Sequence, residues 1–160
     1  MTEKLIPIKY VVAETITELD EQEQKLIEQA KLAKEGSHAP YSNFNVGAAL
    51  LMANGKIVQG SNQENAAYPI GLCAERTAIS ASVSLFPTEK VKTIAIVASS
   101  QNMEVPFPVA PCGICRQTLL ETESKQRSNI RILLHGNNGT TFIFNSIKEL
   151  LPLHFDAEYL

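Results

Sequence analysis

The sequence predicts an α/β fold, a three-layer α/β/α sandwich with a five-stranded mixed sheet between its helices. Three observations carry that expectation. Segments of helical and of strand character alternate along the chain, the order that builds a sheet covered by helices. The stretch VKTIAIVAS, residues 91–99, is a nearly continuous β-branched run, typical of a strand covered on both faces. Two Gly/Asn loops, at Asn54-Gly55 and at residues 136–139, each join two apolar runs.

Taken in order, residues 18–35 (ELDEQEQKLIEQAKLAKE) carry Leu19, Leu26, Ala30 and Ala33 at helical spacing, and Gly36 follows as a stop. FNVGAALLMANGKIVQGSN then reads as a hairpin turned at Asn54-Gly55. Residues 73–86 form a helix rich in Ala and Ser that ends before Pro87, and its small side chains point to close packing on a sheet. The β-branched strand follows, then a Pro-rich loop, EVPFPVAP, and a helix from about Gly113 through ICRQTLLETE. The last two strands, in IRILLHGNNGTTFIF, are an antiparallel hairpin, because so short a loop cannot make a parallel crossover. A short helix begins SIKELLPLHF, with Ser146 as its cap and Glu149 three residues on. YVVAETI near the N-terminus is a candidate for an added edge strand.

At 160 residues the chain suits one domain. Hydrophobic residues make up 44% and charged residues 19%, ordinary values for a globular protein. A net charge of −3 argues against a surface that grips nucleic-acid phosphates. Lys9 interrupts the most apolar part of the N-terminus, so neither a signal peptide nor a membrane span is expected, and the expected compartment is the cytoplasm. Three cysteines there stay reduced and do not make a disulfide framework. They are better explained as core residues, nucleophiles or metal ligands.

Two short stretches bring those thiols together. GLCAERTAI places Cys73 at the start of one helix, and PCGICRQ places Cys112 and Cys115 one turn apart at the start of another. Helix N-termini favour anions, and the thiolate is the metal-binding form. Three thiolates meeting where two helices begin would hold zinc with one position open, the pattern of a catalytic site. Three thiolates over-neutralise the ion, and Arg76 and Arg116 stand near enough in sequence to donate hydrogen bonds to sulfur. Glu75, two residues from Cys73, suits a proton shuttle facing water on that metal rather than a ligand. Either stretch alone is weak, since a lone Cys-x-x-Cys is often a structural half-site or two core thiols. His38, His135 or His154 could also close a structural site, although His135 falls in a strand that ends at the far hairpin and His154 in the tail.

Together, CAE and PCGIC match the signature of the zinc deaminases. With Cys in the first position the chain resembles the three-cysteine, homotetrameric branch of the cytidine deaminases, which act on free nucleosides. The resemblance spans about residues 37–160 and includes APYSNFNVGAALL, SNQENAAYPIGLCAERTAI, PCGICRQ and LLPLHF. It implies a single cytidine deaminase-like domain, residues 1–160, in which 1–36 are an N-terminal extension and first helix and 37–160 the catalytic core. It implies one zinc per subunit on Cys73, Cys112 and Cys115, with Glu75 as the catalytic residue. It implies that Asn62 and Glu64 bind the ribose hydroxyls, that Phe44 walls the nucleoside pocket and that the backbone at Ala74 contacts the base. Phe155 is similar to an aromatic that stacks on the base in a neighbouring subunit, and Tyr68 to a second intersubunit residue. Read apart from the family, Asn62 and Glu64 could merely organise a turn, and Phe44 and Phe155 could be core. The implied reaction is hydrolytic deamination of cytidine and 2′-deoxycytidine in pyrimidine salvage, by zinc-bound hydroxide attack on C4, with no nucleic-acid or membrane partner. The N-terminal segment exceeds the family core by roughly a helix and a strand.

Three other readings compete. A deaminase of another free small molecule, of blasticidin or aminopurine type, shares the zinc motifs, but NQENAAYP and Arg76 favour cytidine. A polynucleotide or tRNA editor is disfavoured by the acidic balance and by the final hairpin, since those families join parallel last strands by a helix. A non-enzymatic zinc module leaves Glu75 and the sugar-like motif unexplained.

Overall fold

The computed structural model describes all 160 residues. The chain forms β1 (Val11–Ala13), α1 (Glu21–Glu35), β2 (Phe44–Met52), β3 (Ile57–Ser61), α2 (Ala74–Leu85), β4 (Val91–Ser100), α3 (Gly113–Gln126), β5 (Arg131–His135) and β6 (Thr141–Phe144). The strands make one mixed sheet in the order β1-β6-β5-β4-β2-β3. Only β4 and β5 run parallel, and α3 supplies the crossover that a parallel pair needs. β5 and β6 form the expected antiparallel hairpin.

The sheet has six strands, not the five expected. The sixth is the edge candidate in YVVAETI: Val11, Val12 and Ala13 pair antiparallel with Ile143, Phe142 and Thr141. It is three residues long and only Ala13 is buried, so it offers too little alternation to be read as a strand with certainty from sequence. Tyr10, just before it, packs tilted against Phe142 and stacked on Phe144, at centroid distances of 5.1 and 5.4 Å.

Period-two alternation divides the core between the two faces of the sheet. Ala48, Leu50 and Met52 of β2, Ile94 and Ile96 of β4, and Ile132 and Leu134 of β5 pack with Ala78 of α2 and Leu119 and Leu120 of α3. Ala49, Leu51, Ala95, Val97 and Leu133 point the other way and pack with Leu26, Ile27 and Ala30 of α1. This explains the continuous apolar run of β4, whose two faces serve two clusters. α1 begins at Glu21 rather than at 18, because Asp20 caps it: the Asp20 carboxylate accepts the Glu23 N–H, and Glu23 returns the bond. Leu19 stays buried just outside the helix.

The hairpin turn places Gly55 at φ +80°, a conformation glycine adopts without strain. Gly60 of β3 matters more for the site. A Cβ there would lie 2.4 Å from the Ala74 carbonyl oxygen and 2.4 Å from the Ala78 nitrogen, so its absence lets the start of α2 sit directly on the sheet. The Ala/Ser composition of α2 serves the same close approach. After β6, Ser146 caps a short 3₁₀ turn, Ile147–Glu149, as expected, by accepting the Lys148 N–H. Glu149 does not complete a capping box there; its carboxylate takes the Asn145 N–H instead.

Candidate active site

Cys73 is the N-cap of α2 and Cys112 the N-cap of α3, both with extended backbone (ψ 153° and 167°). Cys115 lies one turn into α3 and is fully buried. Two helix starts therefore aim at one point, and the three sulfurs lie within 4.8 Å of one another. The Cys73–Cys112 and Cys112–Cys115 sulfur separations are 3.8 and 3.3 Å, far too long for a disulfide. Tetrahedral zinc with bonds of about 2.3 Å places its sulfurs about 3.8 Å apart. The donor set fits zinc in number, softness and spacing, and no His, Asp or Glu joins the cluster to close it. The cluster is able to hold a metal ion.

The thiols perturb one another. Hydrogen bonding from Cys115, then Cys112, and the charge of Arg76 bring the Cys73 thiol down to about 6, against burial and the Glu75 charge. Cys115, the donor in that arrangement and the more deeply buried group, is pushed up. Glu75 is buried on the first turn of α2, and burial raises its carboxyl above the usual range, partly offset by its own backbone N–H and by Cys115.

These groups open onto a cavity of about 740 Å³, walled by Cys73, Glu75 and Cys112 and also by Phe44, Asn62, Glu64 and Tyr68. β2, the starts of α2 and α3, and the connection from β3 to α2 thus bring these expected residues to one space, with Cys115 buried behind the other two thiols and not a wall. Glu64 is held in place by the N–H groups of Tyr41 (2.9 Å) and Ser42 (3.2 Å). The Ser42 hydroxyl and those N–H groups hold its carboxyl below the usual range, so it stays an ionised acceptor. Asn62, just beyond β3, clamps the start of β2: its Oδ1 accepts the Val46 N–H and its Nδ2 donates to the Phe44 carbonyl, both at 2.8 Å. That is the turn-organising role, and it leaves the amide one hydrogen and one lone pair for a ligand.

Other expected residues are placed differently. Ala74 is fully buried beneath Gly60 and is not part of the cavity wall, although Cys73 and Glu75 on either side are. Arg116 donates Nε to the Pro111 carbonyl and Nη1 to the Leu150 carbonyl, each at 2.8 Å, rather than to sulfur. Arg76 acts on Cys73 through its charge. Phe155 lies outside the cavity of its own chain, 59% exposed and stacked on Tyr159. Tyr68 stands at the cavity mouth, edge-on to Tyr41 at 5.7 Å. His154 faces Asp156, and His135 is buried against Thr141, so neither histidine approaches the cysteines.

Sequence reasoning assigned no role to Tyr41, Ile96, Ala98, Val109 or Ala110, all of which wall the cavity. Ile96 and Ala98 lie on a strand whose face depends on packing. Ala110 had a local signal, since a residue before proline is driven to extended backbone and here leads into Cys112.

Comparison with known proteins agrees with this geometry. Residues 20–128 match the family described as the cytidine and deoxycytidylate deaminase zinc-binding region. The chain is 42% identical over 135 residues to the cytidine deaminase of Halalkalibacterium halodurans, covering 84% of this chain and 95% of that one. It is 46% identical over 137 residues to the cytidine deaminase of Sporosarcina psychrophila, covering 86% and 93%. The crystal structure of cytidine deaminase from Burkholderia pseudomallei superposes with a TM-score of 0.71 at 38% identity, covering 82% of this chain and 97% of that one.

Proposed function

This chain belongs to the cytidine and deoxycytidylate deaminase zinc-binding family, and from that premise we propose that it hydrolyses free cytidine and 2′-deoxycytidine to uridine, 2′-deoxyuridine and ammonia. One observation carries the reading: Cys73 and Cys112 of the thiol cluster, the buried Glu75 and the ionised Glu64 all face a single cavity large enough for a nucleoside.

Cys73, Cys112 and Cys115 would hold the zinc. Zinc there supplies Lewis acidity that brings water toward ionisation near neutral pH. Glu75 moves the protons. Its carboxyl, raised by burial, takes one proton from water and gives it to ring N3, then takes the second from the hydroxyl now on C4 and gives it to the departing exocyclic amine. Water adds oxygen at C4 and ammonia leaves, so the reaction balances without a redox partner. Glu64 accepts from the ribose hydroxyls, Asn62 offers its remaining amide hydrogen, Phe44 packs on the nucleoside, and the N-terminal turn of α2, which meets the cavity at Cys73 and Glu75 on either side of the buried Ala74, lies beside the base. No Lys, Arg or His stands among the cavity walls to pair with a phosphate, which supports a nucleoside over a nucleotide.

The chain acts as one domain, with residues 1–36 added to a core of 37–160, and α1 opposite α2 and α3 makes a three-layer sandwich. Two core clusters on opposite faces of the one sheet support both statements. The working unit is a homotetramer with shared sites; the exposure of Phe155 and Tyr68, large aromatics left uncovered in their own chain, supports this. No helix is long and apolar enough to cross a membrane. Three free thiols support a reducing, cytoplasmic setting.

The test is ultraviolet absorbance of zinc-loaded protein with cytidine and with deoxycytidine. Loss of the cytidine band with stoichiometric ammonia is expected. No change at one zinc per chain would overturn the substrate, and blasticidin-like and aminopurine compounds would then be tried.

A further inference from the structure

The segment after β6 makes little regular structure of its own, yet its backbone is held at three points by side chains of α3. Glu123, buried on the third turn, accepts the Ser146 hydroxyl at 2.7 Å and the Ile147 N–H at 3.1 Å, and also the Ile130 N–H at 2.8 Å. Arg116, seven residues earlier on the same helical stripe, donates to the Leu150 carbonyl at 2.8 Å. The anion thus sits at the start of the Ile147–Glu149 turn and the cation at its end, each matching the local peptide dipoles. Gln117 then donates to the Phe155 carbonyl at 2.9 Å. Between these points Ile147 is fully buried in the same cluster as Leu119 and Leu120.

We propose that Arg116, Gln117 and Glu123 are positioning residues that index the C-terminal segment, and with it the Phe155 ring, to the helix carrying Cys112 and Cys115. This rests on the reading in which Phe155 completes a neighbour's site. Arg116 makes the link direct, because its Nε holds the Pro111 carbonyl immediately before Cys112 while its Nη1 holds Leu150. The metal helix of one subunit therefore sets the aromatic that the same subunit lends out. A fault in the grip is felt in the adjacent subunit's site.

Two measurements on the full-length, zinc-loaded protein test this. The first is amide hydrogen exchange in Arg116→Gln and Gln117→Ala. Exchange at the hydrogen-bonded Leu150 and Leu151 amides should rise in Arg116→Gln by about tenfold, the equilibrium change for one lost charge-assisted hydrogen bond, and at Glu158 and Tyr159 in Gln117→Ala by about fivefold, that for a neutral one, while β4 amides stay protected. Unchanged exchange in both variants overturns the proposal, whatever the activity. The second uses mixed oligomers. A Glu75→Ala subunit with an intact tail should restore turnover to a Phe155→Ala partner, and adding Gln117→Ala to the Glu75→Ala subunit should raise the KM of that rescue with kcat nearly unchanged. The added change sits in a subunit whose own site is already dead, so a purely local effect would not register. Equal rescue with and without it overturns the positioning role. No rescue by the intact tail overturns the shared-site reading instead, and the exchange measurement still decides the grip. Zinc content is followed throughout and should stay at one per chain in Gln117→Ala.

Discussion

Gly60→Ala is the most informative single perturbation, because Gly60 is not a cavity wall yet sets where the site begins. The new Cβ would stand 2.4 Å from both the Ala74 oxygen and the Ala78 nitrogen, and ordinary contact starts near 3.4 Å. Both neighbours are backbone of α2, so no flexible side chain can yield. The helix must move by about 1 Å, the difference between clash and contact, and it carries the Cys73 sulfur and the Glu75 carboxylate with it. A displacement of that size at reacting groups costs about a hundredfold in kcat. Overpacking itself costs about 1–3 kcal/mol, which for a chain of this length lowers the melting temperature by about 2–4 °C per kcal/mol. The assay is steady-state loss of cytidine absorbance beside a thermal unfolding scan. Gly47→Ala is the control: its Cβ would meet the Ala30 oxygen at 2.0 Å, on the α1 face away from the thiols. It should lose comparable stability with a much smaller fall in kcat. Wild-type turnover and an unchanged melting temperature in Gly60→Ala would refute the reasoning, and equal kcat losses in both variants would refute the assignment to α2.

Glu75→Gln should bind zinc and fold normally while turnover falls by about 10²–10⁴, the usual worth of one acid–base group, as read by ammonia release against metal content. Chelation should lower the melting temperature and abolish activity, with zinc restoring both; Cys112→Ala should show the low melting temperature with no response to added zinc. His135 predicts a pH effect. Burial, with the Lys31 charge adding to it, lowers its pKa in the folded chain. Below its unfolded pKa of about 6.5 the unfolded chain binds the extra proton first, so stability falls as pH falls until the folded pKa is reached. His135→Gln should flatten that acid limb in denaturant titrations at pH 7 and pH 5, and identical slopes in both proteins would remove His135 as the cause.

Local features sufficed for much of this protein. The meeting of Cys73, Cys112 and Cys115, with Glu75 buried beside Cys73, was legible because a metal-holding cluster demands particular residue types at particular spacings beside helix starts. The Asn54-Gly55 turn and the final hairpin were legible because loop length and φ preference are properties of a few adjacent residues. Tertiary structure decided the rest. The sixth strand exists because β6 offers an open edge to three residues too short to declare themselves. Asn62 spends half its amide on the backbone of β2, eighteen residues away at Phe44, and no local pattern reports such a bond. Arg116 turns to carbonyls at Pro111 and Leu150 instead of to sulfur, since which acceptor lies within reach depends on where the tail is laid. The shape of the cavity, with Ile96, Ala98 and Val109 as walls, follows from which face of a doubly covered strand meets which loop. Spacing along a chain fixes chemistry that neighbours perform; contacts between distant segments form only when the core has closed, and the sequence carries them only as that packing.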